Sequence, residues 1–190
     1  MIAGLVLAAG SGSRLGQPKA PLMVNGERLV DRAVRVLREG GCDEIFVVLG
    51  AWQGEVDDCQ IVINPNWETG MGSSLKAGLE TILNNNRVTG VLVTLVDLVG
   101  VTPACVRAVI DEPGELVIAT YDGQRGHPLK LDKSHLPAIL AEIKGDLGAR
   151  AYLRGRKDIV EIELSHLGDN RDIDTAEDLA ARQQDPAAEN

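Results

Sequence analysis

Short apolar segments alternate along the chain with segments that have the periodicity of amphipathic helices. Apolar runs bounded by turn residues are typical of buried strands, and they predict strands over residues 2–7, 44–49, 60–63, 90–96, 115–120, 126–131 and 158–164. Helical spacing and capping residues predict helices over residues 28–39, 73–83, 136–143 and 175–183, one that begins at Thr102-Pro103, and a short one that follows residues 145–150. This alternation predicts one α/β domain over residues 1–183, a three-layer sandwich around a mostly parallel, mixed sheet, with a flexible polar tail over residues 184–190.

Charge and cysteine usage narrow the class of protein further. The formal net charge is −9 at pH 7, which argues against nucleic acid as a partner because proteins that bind it carry basic surfaces. Cys42, Cys59 and Cys105 are isolated, without the spacing of a zinc site or a disulfide framework, so we expect a reducing, cytoplasmic setting. No apolar run approaches the roughly 20 residues that cross a bilayer, and we expect no membrane association.

The first predicted strand leads directly into a glycine-serine loop that carries Arg14 and Lys19. Such a loop can turn several backbone N–H groups toward one anion, and the two cations can neutralise a polyphosphate. The loop lacks the Gly-Lys-Ser/Thr ending of a Walker A motif, and Gly10, Gly12 and Gly16 have one spacer too many for the dinucleotide fingerprint. A plain strand-to-helix turn is the alternative interpretation of the loop alone.

Carboxylates follow two of the predicted strands at the sheet edge where parallel α/β proteins bind ligands. Asp97 ends the most hydrophobic strand, and Asp172 and Asp174 follow the last one. Mg²⁺ needs only one or two carboxylates beside water and phosphate oxygens, so these residues are candidate metal ligands. Helix capping is the structural alternative for Asp97, before the helix at Thr102, and for Asp174, before the last helix.

Two further segments precede or begin predicted elements. The Met71-Gly72-Ser73-Ser74 segment precedes a helix, so that its N–H groups and hydroxyls could face a ligand, although either serine could simply cap the helix. His127 begins a strand in a polar neighbourhood and could contact an anionic acceptor, although a lone histidine is more often structural.

The chain resembles the MobA-like nucleotidyltransferases, in particular the molybdenum cofactor cytidylyltransferases. The matching segments occur in the family's order: LAAGSGSRLGQPK (7–19), GMGSSLKAGL (70–79), LVTLVDLVGVTP (92–103), GHP (126–128), GDLGAR (145–150) and DIDTAEDL (172–179). The resemblance spans nearly the whole chain and implies a Rossmann-like nucleotidyltransferase fold. It also implies Mg²⁺-dependent transfer of NMP from an NTP to a phosphate-bearing acceptor, with release of pyrophosphate.

The resemblance also implies roles for individual residues. Base and phosphates would be held by Leu7, Ala8, Ala9, Gly10, Ser11, Gly12 and Ser13. Met71 would also bind the nucleotide, and Ser74 would lie near the nucleobase. Arg14 and Lys19 would neutralise the triphosphate and stabilise the leaving pyrophosphate, since positioning and electrostatics dominate catalysis of phosphate transfer. Asp97 would bind Mg²⁺, and Asp172 matches the second metal ligand, with Asp174 as the alternative.

The opening Ala8-Ala9-Gly10 resembles the cytidylyl and uridylyl enzymes rather than the guanylyl enzymes, and favours CTP. A methyl group at the second position would narrow the space for a purine. The expected acceptor is the molybdenum-molybdopterin cofactor, and a molybdoenzyme is a possible partner; a sugar, polyol or other phosphate acceptor, or a non-catalytic cofactor-delivery module, are the alternatives. Val99 and Ala176 stand where the family usually has proline, and the change at Val99 alters the rim on which an acceptor would rest.

Overall fold

A computed structural model of the chain describes residues 1–143, 145 and 148–183. Within them, the strands are β1 (Ile2–Leu7), β2 (Met23–Val24), β3 (Glu27–Arg28), β4 (Glu44–Leu49), β5 (Gln60–Ile63), β6 (Gly90–Leu95), β7 (Leu116–Tyr121), β8 (Gln124–Asp132) and β9 (Ile159–Glu163). The α-helices are α1 (Leu29–Glu39), α2 (Met71–Leu83), α3 (Pro103–Asp111), α4 (Leu136–Glu142), α5 (Arg150–Leu153) and α6 (Ala176–Gln183). Single 3-10 turns span Trp67–Thr69 and Lys133–His135.

The main sheet has the strand order β5-β4-β1-β6-β8-β7-β9. β1 pairs in parallel with β4 and β6, β4 with β5, and β7 with β9, whereas β8 runs antiparallel to both of its neighbours. Leu7 is aligned with Val48 on β4 and with Leu95 on β6. The loops that follow these three strands therefore leave the sheet at one edge, which confirms the predicted mostly parallel, mixed architecture.

Side chains of β1 alternate between two hydrophobic cores, as the pleat of a strand buried on both faces requires. Val6 faces the core that α1 and α3 cover, and Leu5 and Leu7 face the core that α2 and α4 cover. Both faces of the sheet are thus covered by helices. The sandwich has the three layers that the sequence predicts.

The structure departs from the predicted elements in small ways. The β2–β3 hairpin was not predicted, because each strand has two residues; its Asn25-Gly26 turn has φ of 49° and 82°, as a type I′ turn requires. Helix α2 begins at Met71, two residues before the predicted start. None of the described helices is long and apolar enough to cross a membrane. The predicted tail over residues 184–190 and part of the 145–150 motif lie outside the described residues.

Candidate functional site

A cleft of about 660 Å³ opens at the carboxyl ends of β1 and β6. We call it the first cleft. Its near wall is the loop after β1, its floor carries the residues that follow β6, and its far wall is the start of α2. Predicted site residues that line it are Leu7, Ala8, Gly10, Ser11, Gly12, Ser13, Arg14, Lys19, Met71, Ser74, Asp97, Asp172 and Asp174. Segments from four distant parts of the chain therefore meet at one edge of the sheet.

The loop after β1 is a tight turn centred on Gly12. The Gly12 carbonyl accepts the N–H groups of Leu15 and Gly16, both at 2.9 Å. Gly12 has φ of 61°, and a Cβ built on it would lie 2.1 Å from the backbone oxygen of Gln17. Only glycine fits this combination of left-handed backbone and close approach. The turn thereby sets the position of the following residues, which include Lys19.

Lys19 bridges two carboxylates at the floor of the first cleft. Its Nζ donates to Asp97 Oδ2 at 2.6 Å and to Asp174 Oδ1 at 2.5 Å, and Arg14 donates to Asp174 Oδ2 at 2.7 Å. Burial alone would lower the pKa of the Lys19 ammonium, but the hydrogen bonds to Asp174 and Asp97 raise that pKa above its ordinary value. The hydrogen bond from Lys19 also lowers the pKa of Asp174. Lys19 and Asp174 are therefore both charged at neutral pH.

The carboxylates of this cluster fit a divalent cation. Asp97, Asp172 and Asp174 each offer an oxygen, and these oxygens lie within 4.8 Å of one another. Asp97 is 9% exposed, and its Oδ1 is buried without a hydrogen-bond partner among the described residues. A buried charged oxygen is costly unless something compensates it, and Mg²⁺ or Mn²⁺ prefers this kind of ligand. The donor set is therefore suited to a hard divalent ion.

Helix capping is carried out by other residues. Thr102 Oγ1 accepts the Cys105 N–H at the start of α3, at 3.2 Å. Ahead of α6, Thr175 Oγ1 accepts the Asp178 N–H at 3.2 Å, while Asp178 Oδ2 accepts the Thr175 N–H at 2.7 Å. This reciprocal pair is a capping box. The carboxylates of Asp97 and Asp174 are directed instead to Lys19.

The far wall contains a residue that the sequence analysis missed, Trp67, and is held by another, Asn64, which lies behind it. Asn64 is 2% exposed, and its Nδ2 donates to Ser73 Oγ at 2.8 Å and to Ser74 Oγ at 3.0 Å. Trp67 packs on Gly50, where a Cβ would lie 2.6 Å from the tryptophan side chain, and Trp67 lines the cleft. Ser73 and Ser74 lie inside α2, whose N-cap is Gly70, so neither serine caps the helix. The Asn-Pro pair after β5 was the available signal for a structured turn here.

Ala9 is the one predicted nucleotide-binding residue that does not line the first cleft. It is 4% exposed and belongs to the core between the sheet and α2, and its carbonyl accepts the Ala51 N–H at 3.0 Å. The Ala9 methyl group therefore packs in the core, and the expectation that it narrows the space for a purine stays a prediction. The Ala9 side chain points to the α2 side of the sheet, as that of Leu7 does, because side chains two residues apart in an extended chain lie on the same face.

A second cleft of about 630 Å³ adjoins the first and shares Leu7, Met71, Leu95 and Asp172 with it. His127 lies in this second cleft, with its N–H donated to Asn170 Oδ1 at 2.9 Å. Burial lowers the pKa of His127 to about 4, so its imidazole is neutral at pH 7. Three arginines also line this cleft, which are Arg125, Arg150 and Arg154. Arg125 is paired with Glu161 at 2.5 Å, so Arg150 and Arg154 are the main sources of positive charge here.

Comparison with known protein families identifies the class of enzyme to which the chain belongs. The model of the MobA-like NTP transferase domain matches residues 4–162 of the chain. The chain belongs to this family. It is accordingly a nucleotidyltransferase, which agrees with the glycine-rich loop that lines the first cleft. Enzymes of this kind commonly use divalent metal ions.

Individual relatives of this MobA-like enzyme carry different names. It is 35% identical over 195 residues to nicotine blue oxidoreductase from Paenarthrobacter nicotinovorans, covering 94% of both chains. It is 48% identical over 52 residues to a probable molybdenum cofactor guanylyltransferase from Opitutus terrae, covering 27% of this chain and 26% of that one. Rv0371c from Mycobacterium tuberculosis superposes with a TM-score of 0.81 at 27% identity, covering 97% of this chain and 98% of that one. A second structure of Rv0371c, with a TM-score of 0.77 at 26% identity over 96% and 98% of the two chains, is a complex with manganese.

Proposed function

We propose that the protein transfers CMP from CTP to the phosphate of the molybdenum-molybdopterin cofactor, in a Mg²⁺-dependent reaction. An acceptor phosphate oxygen attacks the α-phosphorus of the NTP, the bond from that phosphorus to the bridging oxygen breaks, and pyrophosphate leaves. The observation that carries the proposal is the junction of the two clefts. The first cleft has the cations and carboxylates for a triphosphate with its metal, and the second opens beside it at Asp172.

The chain's own residues would act by positioning and by charge. Arg14 and Lys19 would bind the β- and γ-phosphates, where negative charge grows as pyrophosphate leaves. Asp97, with Asp172 or Asp174, would hold the ion, and a bound divalent ion would withdraw charge from the reacting phosphate oxygens. Backbone N–H groups of the turn at Gly12 would meet the phosphates, as small residues allow close approach.

The second cleft supports an acceptor with an apolar body and an anionic group. Its walls include Leu75, Val93 and Leu129, and its arginines and His127 line the same cleft. A neutral His127 can hydrogen-bond to an acceptor but adds no positive charge, so the arginines would attract the acceptor phosphate. Such a lining suits a ring system with a phosphate better than a sugar or polyol phosphate. The relative named as a molybdenum cofactor guanylyltransferase is in keeping with this acceptor.

The preference for CTP rests on the Ala8-Ala9-Gly10 opening and its resemblance to the pyrimidine enzymes. Because the Ala9 side chain lies in the core, that residue could affect the base only through the backbone of the loop. Measured base preference is therefore an essential part of the test.

The experiment is a pyrophosphate-release assay. The protein is incubated with Mg²⁺, one of CTP, UTP, GTP or ATP, and either molybdopterin cofactor or a panel of sugar and polyol phosphates. We expect release that requires CTP and the cofactor. Asp97→Asn should abolish it, whereas Asp57→Asn, which changes an exposed acid outside both clefts, should not. Turnover with another base or acceptor would correct the substrate, and no turnover with any pair would refute the proposal.

A second candidate activity is reduction of nicotine blue, which the name of the 35% identical relative favours. The loop after β1 does not support a dinucleotide site, because its glycines lack the dinucleotide spacing. The two activities separate cleanly in an assay with nicotine blue and NADH or NADPH. Loss of the dye's absorbance, with no pyrophosphate release in the transferase assay, would establish the oxidoreductase. Binding of CTP and cofactor with neither reaction would indicate a delivery module.

A further inference from the structure

On the basis of the metal-dependent function proposed above, we propose that Lys19 is an internal competitor of the metal ion, which holds metal affinity low until nucleotide binds. The structure joins the Lys19 ammonium to two of the three carboxylates that could ligate a divalent ion, Asp97 and Asp174. Lys19 therefore has two uses in the cleft: it neutralises these carboxylates, and it can bind phosphate.

The geometry makes the two cations compete for two of the carboxylate oxygens, Asp97 Oδ2 and Asp174 Oδ1. Lys19 Nζ lies 2.6 Å from Asp97 Oδ2 and 2.5 Å from Asp174 Oδ1. Mg²⁺ binds carboxylate oxygens at about 2.1 Å, so an ion shared by the same two oxygens would occupy nearly the position of the ammonium. The side chain of Lys19 is 15% exposed and that of Asp97 is 12% exposed, so water would screen the repulsion between the two cations poorly. Metal binding at these two oxygens therefore requires that the ammonium move.

Nucleotide supplies the reason for that movement. A triphosphate in the first cleft would offer Lys19 and Arg14 a stronger set of anionic oxygens than the carboxylates do. Lysine has a flexible stem, and the Arg14 side chain is 75% exposed, so both can turn toward the phosphates. The oxygens of Asp97 and Asp174 are then released for the metal. Because coupling between two ligands is reciprocal, metal raises nucleotide affinity by the same factor.

This mechanism has a signature that ordinary metal–phosphate contact lacks. Any site in which the metal touches the triphosphate shows some coupling between metal and nucleotide. Competition by Lys19 instead lowers metal affinity when nucleotide is absent. Removing the ammonium should therefore tighten the binding of metal alone, although it weakens the binding of nucleotide.

The test uses Mn²⁺ as the probe, because electron paramagnetic resonance measures the free ion directly. Mn²⁺ is titrated without nucleotide into the wild-type protein and into the Lys19→Gln and Lys19→Met variants. We expect each variant to bind Mn²⁺ about tenfold more tightly or more, a factor typical of coupling between two ligands. Two substituted side chains guard against a variant that fails to fold, and thermal unfolding checks each one.

Two controls separate competition from a general change of charge. Arg14→Gln also removes one positive charge from the cleft, but Arg14 contacts only Asp174 among the carboxylates and is largely exposed. Lys76→Gln removes a half-exposed lysine that lies near Glu80 on α2. We expect a small increase in Mn²⁺ affinity for Arg14→Gln and none for Lys76→Gln.

The outcomes distinguish this proposal from the function on which it rests. If folded Lys19 variants bind Mn²⁺ within threefold of the wild-type protein, or no more tightly than Arg14→Gln, competition by Lys19 is refuted while the metal-dependent transfer stands. If no protein binds Mn²⁺, even with a non-hydrolysable CTP analogue, the proposed function and the competition are refuted together.

Discussion

Replacement of Gly12 by alanine should damage the nucleotide site far more than it damages the fold. Gly12 has φ of 61°, and a Cβ there would lie 2.1 Å from the backbone oxygen of Gln17 and 3.4 Å from Lys19 Cγ. Real Cβ contacts essentially never fall below 3.0 Å, so the Gln17 carbonyl must retreat by about 0.9 Å. A backbone atom cannot rotate away as the end of a side chain can. The displacement must therefore pass along the loop toward Lys19.

Two separate costs follow from this geometry. A left-handed backbone conformation costs a non-glycine residue about 1–2 kcal/mol, which should appear in the free energy of unfolding. A displacement of about 1 Å in a group that positions the reaction can reduce kcat/KM on the order of 100-fold. Gly16→Ala provides the matched control, because Gly16 also has positive φ, 78°, but a Cβ there meets nothing within 4 Å. That variant carries the conformational cost without the collision.

The assay measures kcat/KM by pyrophosphate release and the free energy of unfolding by urea titration, for both variants and the wild-type protein. We expect similar losses of stability in Gly12→Ala and Gly16→Ala, but a large loss of kcat/KM only in Gly12→Ala. Equal catalytic effects in the two variants would show that strain, rather than displacement of the loop, matters. A Gly12→Ala enzyme within twofold of wild type would refute the role assigned to the turn.

Three further predictions concern Asp97, His127 and Asp169. Asp97→Ala should lower pyrophosphate release about 100-fold or more with little change in melting temperature; unchanged turnover would remove Asp97 from the metal role. The pKa of His127 is lowered to about 4, so the unfolded chain takes up the proton first and the protein should lose stability as the pH falls from about 6.5 to 4. Urea titrations at pH 7 and pH 5 should show a smaller difference in unfolding free energy for His127→Gln than for the wild-type protein. Asp169→Asn should lower the free energy of unfolding in urea by about 2 kcal/mol. Burial alone would raise the pKa of Asp169, but hydrogen bonds from Arg182 and Arg171 hold that pKa well below its usual range. No measurable loss would show that these hydrogen bonds do not stabilise the fold.

The parallel core of the sheet could be predicted from the sequence almost residue by residue. β1, β4 and β5 have the predicted bounds because each is a short apolar run that turn residues interrupt. β1 and β4 are almost wholly buried, whereas β5 lies at the exposed edge of the sheet. The ends of β7, β8 and β9 differ by a residue or two, since hydrogen bonding to neighbours, which the sequence does not display, decides where a strand ends. The β2–β3 hairpin has too few residues to show any periodicity.

The candidate site was predictable only where a residue type implies its own chemistry. Lys19 and Asp97 could each be selected as a charged residue at a strand end, but not their hydrogen bond, because 78 residues separate them. Asn64 has no such signal, since its role is to hold Ser73 and Ser74 on the neighbouring helix. Ala9 is the opposite case, because a motif selects it but its side chain lies in the core. A motif names the residues of a loop without saying which of their side chains the strand directs into the core.

The charge balance of the first cleft accounts for the metal that the proposed reaction needs. The lining of this cleft includes two basic side chains, Arg14 and Lys19, and four carboxylates, those of Glu68, Asp97, Asp172 and Asp174. The chain as a whole has a formal net charge of −9. A triphosphate would add several negative charges to a cleft that is already acidic, and two basic side chains cannot neutralise both it and the carboxylates. A divalent ion bound by the carboxylates would offset this repulsion, because the same ion could also bind the phosphate oxygens of the nucleotide. We therefore expect this acidic protein to bind the triphosphate together with a divalent ion.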